Sequence, residues 1–164
     1  MSKLVVLSGV PGSGKSYFSH ILRDVKKSHV YIISSDALRD LVTGNRQDFS
    51  QEELMWKFFY DLAKVYSKDK EGIVVLDATN RSSYYRIEST RALKEFFDEI
   101  ILVCFNIKAD VVYRQNLDRE WPIPTAAVTE FLEKFELPKP EEYNYFNRIY
   151  VVEGKDFQEI ATKI

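Results

Sequence analysis

The sequence predicts an α/β fold: a five-stranded parallel sheet covered by helices on both faces, with a small helical lid. Three observations carry this. Short β-branched runs alternate with stretches of helical periodicity along the whole chain, and alternating buried strands and helices imply right-handed crossovers and a parallel sheet. Hydrophobic residues are 45% and charged residues 29% of 164, enough for one core and too ordered a composition for long disordered segments. The first strand runs straight into a glycine-rich turn and then a helix.

Taken in order, Lys3 to Ser8 is the first strand, and Ser16 to Val25 follows with Phe18, Ile21, Leu22 and Val25 at helical spacing. Val30 to Ser34 is the second strand. Asp36 is placed to cap a short helix over Ala37 to Val42, which Gly44 closes. Ser50 and Glu53 stand in capping-box spacing ahead of a helix through Leu54, Phe58, Leu62 and Val65 to about Asp69. Ile73 to Asp77 is the third strand, Ser83 to Phe97 a helix, and Glu99 to Phe105 the fourth strand. Ala109 to about Leu117 is helical, Pro122 and Pro124 interrupt it, and Thr125 to Phe135 resumes, which suits a hinged lid over about 114–135. Arg148 to Val152 is the fifth strand, with a short helix from Asp156. The expectation is a single domain spanning residues 1–164.

The apolar runs are too short to span a bilayer and no secretory hydrophobic segment follows Met1, so a cytoplasmic location is expected. Cys104 lies within a strand and reads as a buried small apolar residue. A net charge of −2 means that any nucleic-acid partner would have to be held by a local basic patch.

Residues Gly9 to Ser16 read GVPGSGKS, a complete phosphate-binding P-loop in its required place between strand and helix. Glycines let successive N–H groups face the phosphates, and the helix adds its positive N-terminal dipole. The nucleotide-binding candidates are Gly9, Gly12, Ser13, Gly14, Lys15, Ser16 and Tyr17. Lys15 would contact the β- and γ-phosphates of a nucleoside triphosphate, ATP or GTP. The Ser16 hydroxyl and Asp77, which ends the third strand, would hold Mg²⁺. The residue after Asp77 is Ala78, so the acidic neighbour that hydrolytic ATPases use to activate water is missing, and no guanine-reading NKxD motif is present. Both absences favour a kinase.

In a parallel α/β sheet, ligands gather beyond the carboxyl ends of the strands. Asp36, just past the second strand, can accept the proton of an acceptor hydroxyl, and Arg39, one turn on, can grip an anionic substrate beside it. The pair also fits a helix cap with a surface ion partner. Thr79, Asn80 and Arg81 can bind substrate or satisfy their loop, and Arg86 is a further substrate candidate. Arg114 and Arg119 flank the proline break, where a guanidinium could neutralise the transferring phosphoryl group. Trp56, Phe58, Phe59 and Tyr60 could offer a base a stacking surface, although their spacing also fits core packing.

These pieces, in the order GVPGSGKS, SSDALRD, VVLDATNRSSYYR and YRQNLDREWPIP over Lys3 to Val152, resemble the P-loop kinase group that contains 5′-hydroxyl polynucleotide kinases. The resemblance implies a P-loop kinase fold, Asp36 as general base, Arg39 on substrate phosphate, Asp77 closing the Walker B strand, and Arg119 on the donor phosphates. The catalytic candidates are then Lys15, Asp36 and Arg119. The implied reaction is ATP- and Mg²⁺-dependent phosphoryl transfer to the 5′-hydroxyl of DNA or RNA. A small acceptor such as a nucleoside, sugar or antibiotic stays open, as does a nucleotide-binding ATPase module that transfers nothing.

Overall fold

A computed structural model describes residues 1–164. Five parallel strands, β1 (Lys3–Ser8), β2 (Val30–Ser34), β3 (Ile73–Asp77), β4 (Glu99–Phe105) and β5 (Arg148–Val152), stand in the order β2-β3-β1-β4-β5. Strand limits match the sequence expectation residue for residue, because each strand is a near-continuous apolar run bounded by polar or turn residues. The helices are α1 (Lys15–Val25), α2 (Ser35–Thr43), α3 (Glu52–Tyr66), α4 (Ser83–Leu93), α5 (Ala109–Leu117), α6 (Thr125–Lys134) and α7 (Phe157–Lys163).

Alternate residues of β1 serve opposite faces, as strand geometry requires. Val5 and Leu7 pack with Phe18 and Leu22 of α1 and with Phe157, Ile160 and Ala161 of α7. Leu4 and Val6 pack with Met55, Phe59 and Ala63 of α3 and with Leu93 of α4. A third, smaller cluster joins Val10 of the glycine-rich loop to Val112 of α5 and Val128 of α6. That cluster fixes α5 and α6 above the loop. No helix is long and apolar enough to cross a membrane.

Helix starts differ from expectation where local hydrogen bonding decides. Asp36 does not cap α2: Ser34 does, its hydroxyl accepting from the Ala37 N–H at 3.2 Å, so Asp36 falls in the first turn with its carboxylate available to other partners. The Ser50–Glu53 box does not form, since the Ser50 N–H is held by Asp48 and α3 begins at Glu52. α3 stops at Tyr66, where the Ser67 hydroxyl donates to the Lys64 carbonyl. Beyond Leu93 the chain tightens into a 3₁₀ turn over Lys94–Phe96, and Asp98 is tied to Ser2 ahead of β4. Residues 118–124 are held by Asn116, which is 2% exposed: its amide donates to the Ile123 carbonyl and accepts the Ile123 N–H.

Candidate active site

The strand order places β1 between β3 and β4, so the chain leaves β1 at the point where the crossovers diverge, and a crevice opens there. The cleft holds about 760 Å³, within the range of small-ligand sites. Side chains from the glycine-rich loop, the start of α2, one face of α3, the loop after β3 and the α5–α6 connection line it.

The loop is shaped by its glycines and by the turn they permit. Gly14 caps α1 at φ 99°, and a Cβ there would lie 2.9 Å from the Phe157 ring; Gly12 has φ 88°, and a Cβ would meet the Val112 carbonyl at 2.8 Å. Neither site accepts a side chain without strain. The first N–H to bond within α1 is that of Phe18, to the Gly14 carbonyl. The N–H groups of Lys15, Ser16 and Tyr17 therefore open the helix as an anion-binding end. Gly9 and Ser13 act differently: the Gly9 N–H donates to the Thr79 carbonyl and the Ser13 N–H to the Val10 carbonyl, and Ser13 is buried with its hydroxyl unpartnered. They set the loop's shape from beneath the cleft. Tyr17 is exposed at the mouth, tilted against Phe157.

The Lys15 ammonium donates to the Gly9 and Val10 carbonyls at 2.8 and 3.1 Å. Burial lowers its pKa, the charge of Asp77 opposes that, Arg119 adds to it, and Asp36 opposes it again. Four charged groups from four segments thus act on one another inside the cleft. The Ser16 hydroxyl donates to Asp77 Oδ2 at 2.8 Å, joining the start of α1 to the end of β3. Both groups are hard oxygen donors, and no cluster of three metal-ligating side chains exists. This pattern fits Mg²⁺, which takes one or two protein oxygens and fills its shell with phosphate and water.

Asp36 projects into the cleft with its side chain 44% exposed. Its Oδ1 accepts from Arg39 Nη1 at 2.8 Å, and its Oδ2 lies 3.8 Å from Arg119 Nη2. Arg119 reaches over from the α5–α6 connection, and its Nη1 is buried without a partner, a donor aimed at nothing in the protein. Arg114 is instead exposed and away from the cleft.

Arg39 lines the cleft, but its guanidinium is already engaged within the protein. It is 5% exposed, with Nε and Nη2 donating to the two carboxylate oxygens of Glu52 at 2.9 and 2.7 Å, Nη1 to Asp36, and the Phe49 ring 4.3 Å away. Burial alone would lower its pKa, but the hydrogen bonds and charges of Glu52 and Asp36 outweigh this and hold it charged.

Arg86 departs further from expectation. It is fully buried, paired through both edges with the buried Glu142 at 2.7 and 3.0 Å, and it also donates to the Ser8 hydroxyl and the carbonyls of Asn80, Glu136 and Leu137. It is a brace beneath the cleft, not a substrate contact. Asn80, the one non-glycine residue at positive φ (42°), lines the cleft but donates its amide to the Leu7 carbonyl at 2.8 Å, linking the ends of β1 and β3. Thr79 lines the cleft while its carbonyl accepts the Gly9 N–H. On α3, Trp56 and Tyr60 face the cleft one turn apart, Phe59 enters the core and Phe58 is exposed outside both. Glu52, Arg46 and Glu142 carry no signal in the sequence, since each acts through a contact distant in the chain and belongs to no short motif, and Trp121, although within YRQNLDREWPIP, gains its place from Arg46.

The pattern of the AAA domain family AAA_33 matches residues 4–138, from β1 through the α5–α6 connection and α6. The chain belongs to the AAA_33 family. The AAA_33 match takes in every cleft segment described above. A rat 2′,3′-cyclic-nucleotide 3′-phosphodiesterase is 35% identical over 77 residues, 47% of this chain; the chain spans only 17% of that relative's length. Among solved structures, the Pnkp1/Rnl/Hen1 RNA repair complex superposes with a TM-score of 0.71 at 22% identity, over 81% of this chain and 43% of the other. The Mycobacterium tuberculosis APS kinase CysC, solved with AMPPNP and APS, superposes with a TM-score of 0.69 at 16% identity, over 99% and 94%. At these identities the superpositions establish a P-loop kinase-like fold.

Proposed function

We propose that this AAA_33 protein is a phosphotransferase that moves the γ-phosphate of ATP, in the presence of Mg²⁺, to the 5′-hydroxyl of a polynucleotide. The observation that carries the reading is the position of Asp36: a half-exposed carboxylate in the same cleft as Lys15, Ser16 and Asp77, held by Arg39 and facing Arg119. A protein that only binds nucleotide needs no general base at that position, whereas transfer to a hydroxyl does. The α1 N–H groups and Lys15 bind the phosphates, and Ser16 and Asp77 would hold Mg²⁺, which when bound would offset negative charge on the phosphates. Asp36 orients the acceptor hydroxyl and takes its proton, and Arg119 directs its unpartnered donor to the phosphoryl oxygens. Asn80 and Thr79 line the cleft beside these groups. The aromatic faces of Trp56 and Tyr60 suit a nucleobase.

A second reading keeps the chemistry with a small hydroxyl compound as acceptor. It is favoured by one observation, the occupation of Arg39 by Glu52, which removes a phosphate-binding cation from beside the base. The experiment supplies γ-labelled ATP and Mg²⁺ together with 5′-hydroxyl oligonucleotides, nucleosides and a metabolite extract. Label in the oligonucleotide is expected. Label only in a small molecule moves the assignment to the second reading, and release of free phosphate with no labelled acceptor overturns both.

A further inference from the structure

If Arg39 is committed to Glu52 and Asp36, an acceptor strand needs other cations for its phosphates. Two are in place. Arg46, from the loop after α2, lies over the Trp121 ring at 4.1 Å, and Arg81, from the loop after β3, lies over the Tyr85 ring at 5.5 Å. All four side chains line the cleft. Neither guanidinium takes part in an ion pair, whereas Arg39 and Arg119 both face carboxylates. Glu130 lies within the field of Arg81 but accepts its hydrogen bond from Lys134. A guanidinium resting on one aromatic face keeps its N–H edge free, so it can take a phosphate while the face of the ring it does not cover can stack on a base.

The geometry points to a division of labour, which rests on the kinase reading above: Arg46 with Trp121 and Arg81 with Tyr85 are the two phosphate-and-base contacts of a single-stranded acceptor, and Glu52 is a positioning residue that turns Arg39 away from substrate and onto Asp36. Arg39 is engaged by the carboxylates of Asp36 and Glu52, so it does not draw an acceptor phosphate beside the base, where a neutral hydroxyl is received. Phosphates are received further out, one on the α2–α3 side through Arg46 and one on the β3–α4 side through Arg81. Local cationic contacts of this kind resolve how a chain of net charge −2 can hold a polyanion.

The test compares a 5′-hydroxyl oligonucleotide with the matching nucleoside in the full chain, by steady-state transfer and by equilibrium binding of the fluorescent oligonucleotide across a salt series. Arg46→Ala and Arg81→Ala should each raise the oligonucleotide KM about tenfold, far more than the nucleoside KM. Each should also flatten the slope of log affinity against log salt by about 0.7, one phosphate contact on a single strand. Glu52→Gln should lower kcat for both acceptors alike and, by releasing Arg39 toward phosphate, steepen the salt slope, which a merely structural defect shared between kcat, KM and melting would not do. An unchanged slope in both arginine variants, or a flattened slope in Arg39→Ala, overturns the assignment. Should the wild-type protein transfer to no acceptor yet bind the oligonucleotide through Arg46 and Arg81, the kinase reading falls and these contacts stand. Transfer to the nucleoside with no oligonucleotide binding does the opposite: the kinase chemistry stands and these contacts fall.

Discussion

Replacing Arg86 by alanine tests how the cleft is supported. Arg86 and Glu142 are both fully buried, and the guanidinium makes six hydrogen bonds: two to Glu142, one to the Ser8 hydroxyl and three to the carbonyls of Asn80, Glu136 and Leu137. Removing one member of such a pair leaves an uncompensated buried charge, which costs about 3–5 kcal/mol. For a chain of this size that lowers Tm by roughly 10 °C and takes away about a fifth or more of a typical stability of about 5–15 kcal/mol. An Arg86→Met, Glu142→Leu double variant should recover part of the loss, because no charge is left buried, but not all, because three carbonyls and the Ser8 hydroxyl lose their donor. The assay is urea unfolding followed by far-UV circular dichroism. Its pH dependence has a defined sign. Burial would raise the Glu142 pKa, but the Arg86 hydrogen bonds and charge and the Lys139 N–H lower it overall. The pair's contribution is thus complete above the ordinary glutamate value of about 4.3 and is lost as the pH falls through the lowered folded value. A single-variant loss below about 1 kcal/mol, with no recovery in the double variant, refutes the reasoning about a buried brace.

Asp36→Asn should cut kcat by about 10²–10⁴ while Tm stays nearly constant, since the half-exposed carboxylate contributes little to folding; a labelled-ATP assay that finds kcat within about threefold of wild type would falsify the base assignment. Asp77→Asn should demand a higher Mg²⁺ concentration for half-maximal transfer, with nucleotide binding in EDTA nearly unaltered, and an identical Mg²⁺ titration in the variant and wild type removes Asp77 from the metal. Gly14→Ala, which forces a Cβ to 2.9 Å from Phe157 at φ 99°, should destabilise the fold by about 1–3 kcal/mol and weaken nucleotide affinity as judged by calorimetry; wild-type values in both would mean that the loop relaxes freely. Cys104, its thiol pushed by burial up to about 11, should react with a thiol reagent at neutral pH only as fast as the protein unfolds, and rapid labelling of the native chain contradicts its burial.

Strands and the phosphate loop were legible because their signals are local. An apolar run of about five to seven residues ended by a polar or turn residue has one stable use in a parallel sheet, and all five strands appear where such runs lie. GVPGSGKS carries its own turn, cation and hydroxyl within eight residues. Helix starts were less legible because neighbouring polar residues compete for the same N–H groups. Ser34 displaced Asp36 as the cap of α2, a shift of two positions that leaves the carboxylate available for chemistry. Arg114 and Arg119 are alike in composition, but the helical phase of α5 and the Asn116 staple send only Arg119 toward Asp36.

By itself the sequence determined the strand order of appearance, the P-loop, and the presence of Asp36 and Asp77 at strand ends, since each depends on residues adjacent in the chain. Tertiary structure decided which arginines are free. Arg39 and Arg86 looked like substrate groups and are instead held by Glu52 and Glu142, 13 and 56 residues away, while Arg81, read as either a substrate or a loop residue, and Arg46, which no motif marks, face the cleft on aromatic rings. A guanidinium has no intrinsic role: whether it binds a ligand or braces the protein depends on whether a carboxylate from elsewhere in the chain reaches it first, and only the folded arrangement settles that.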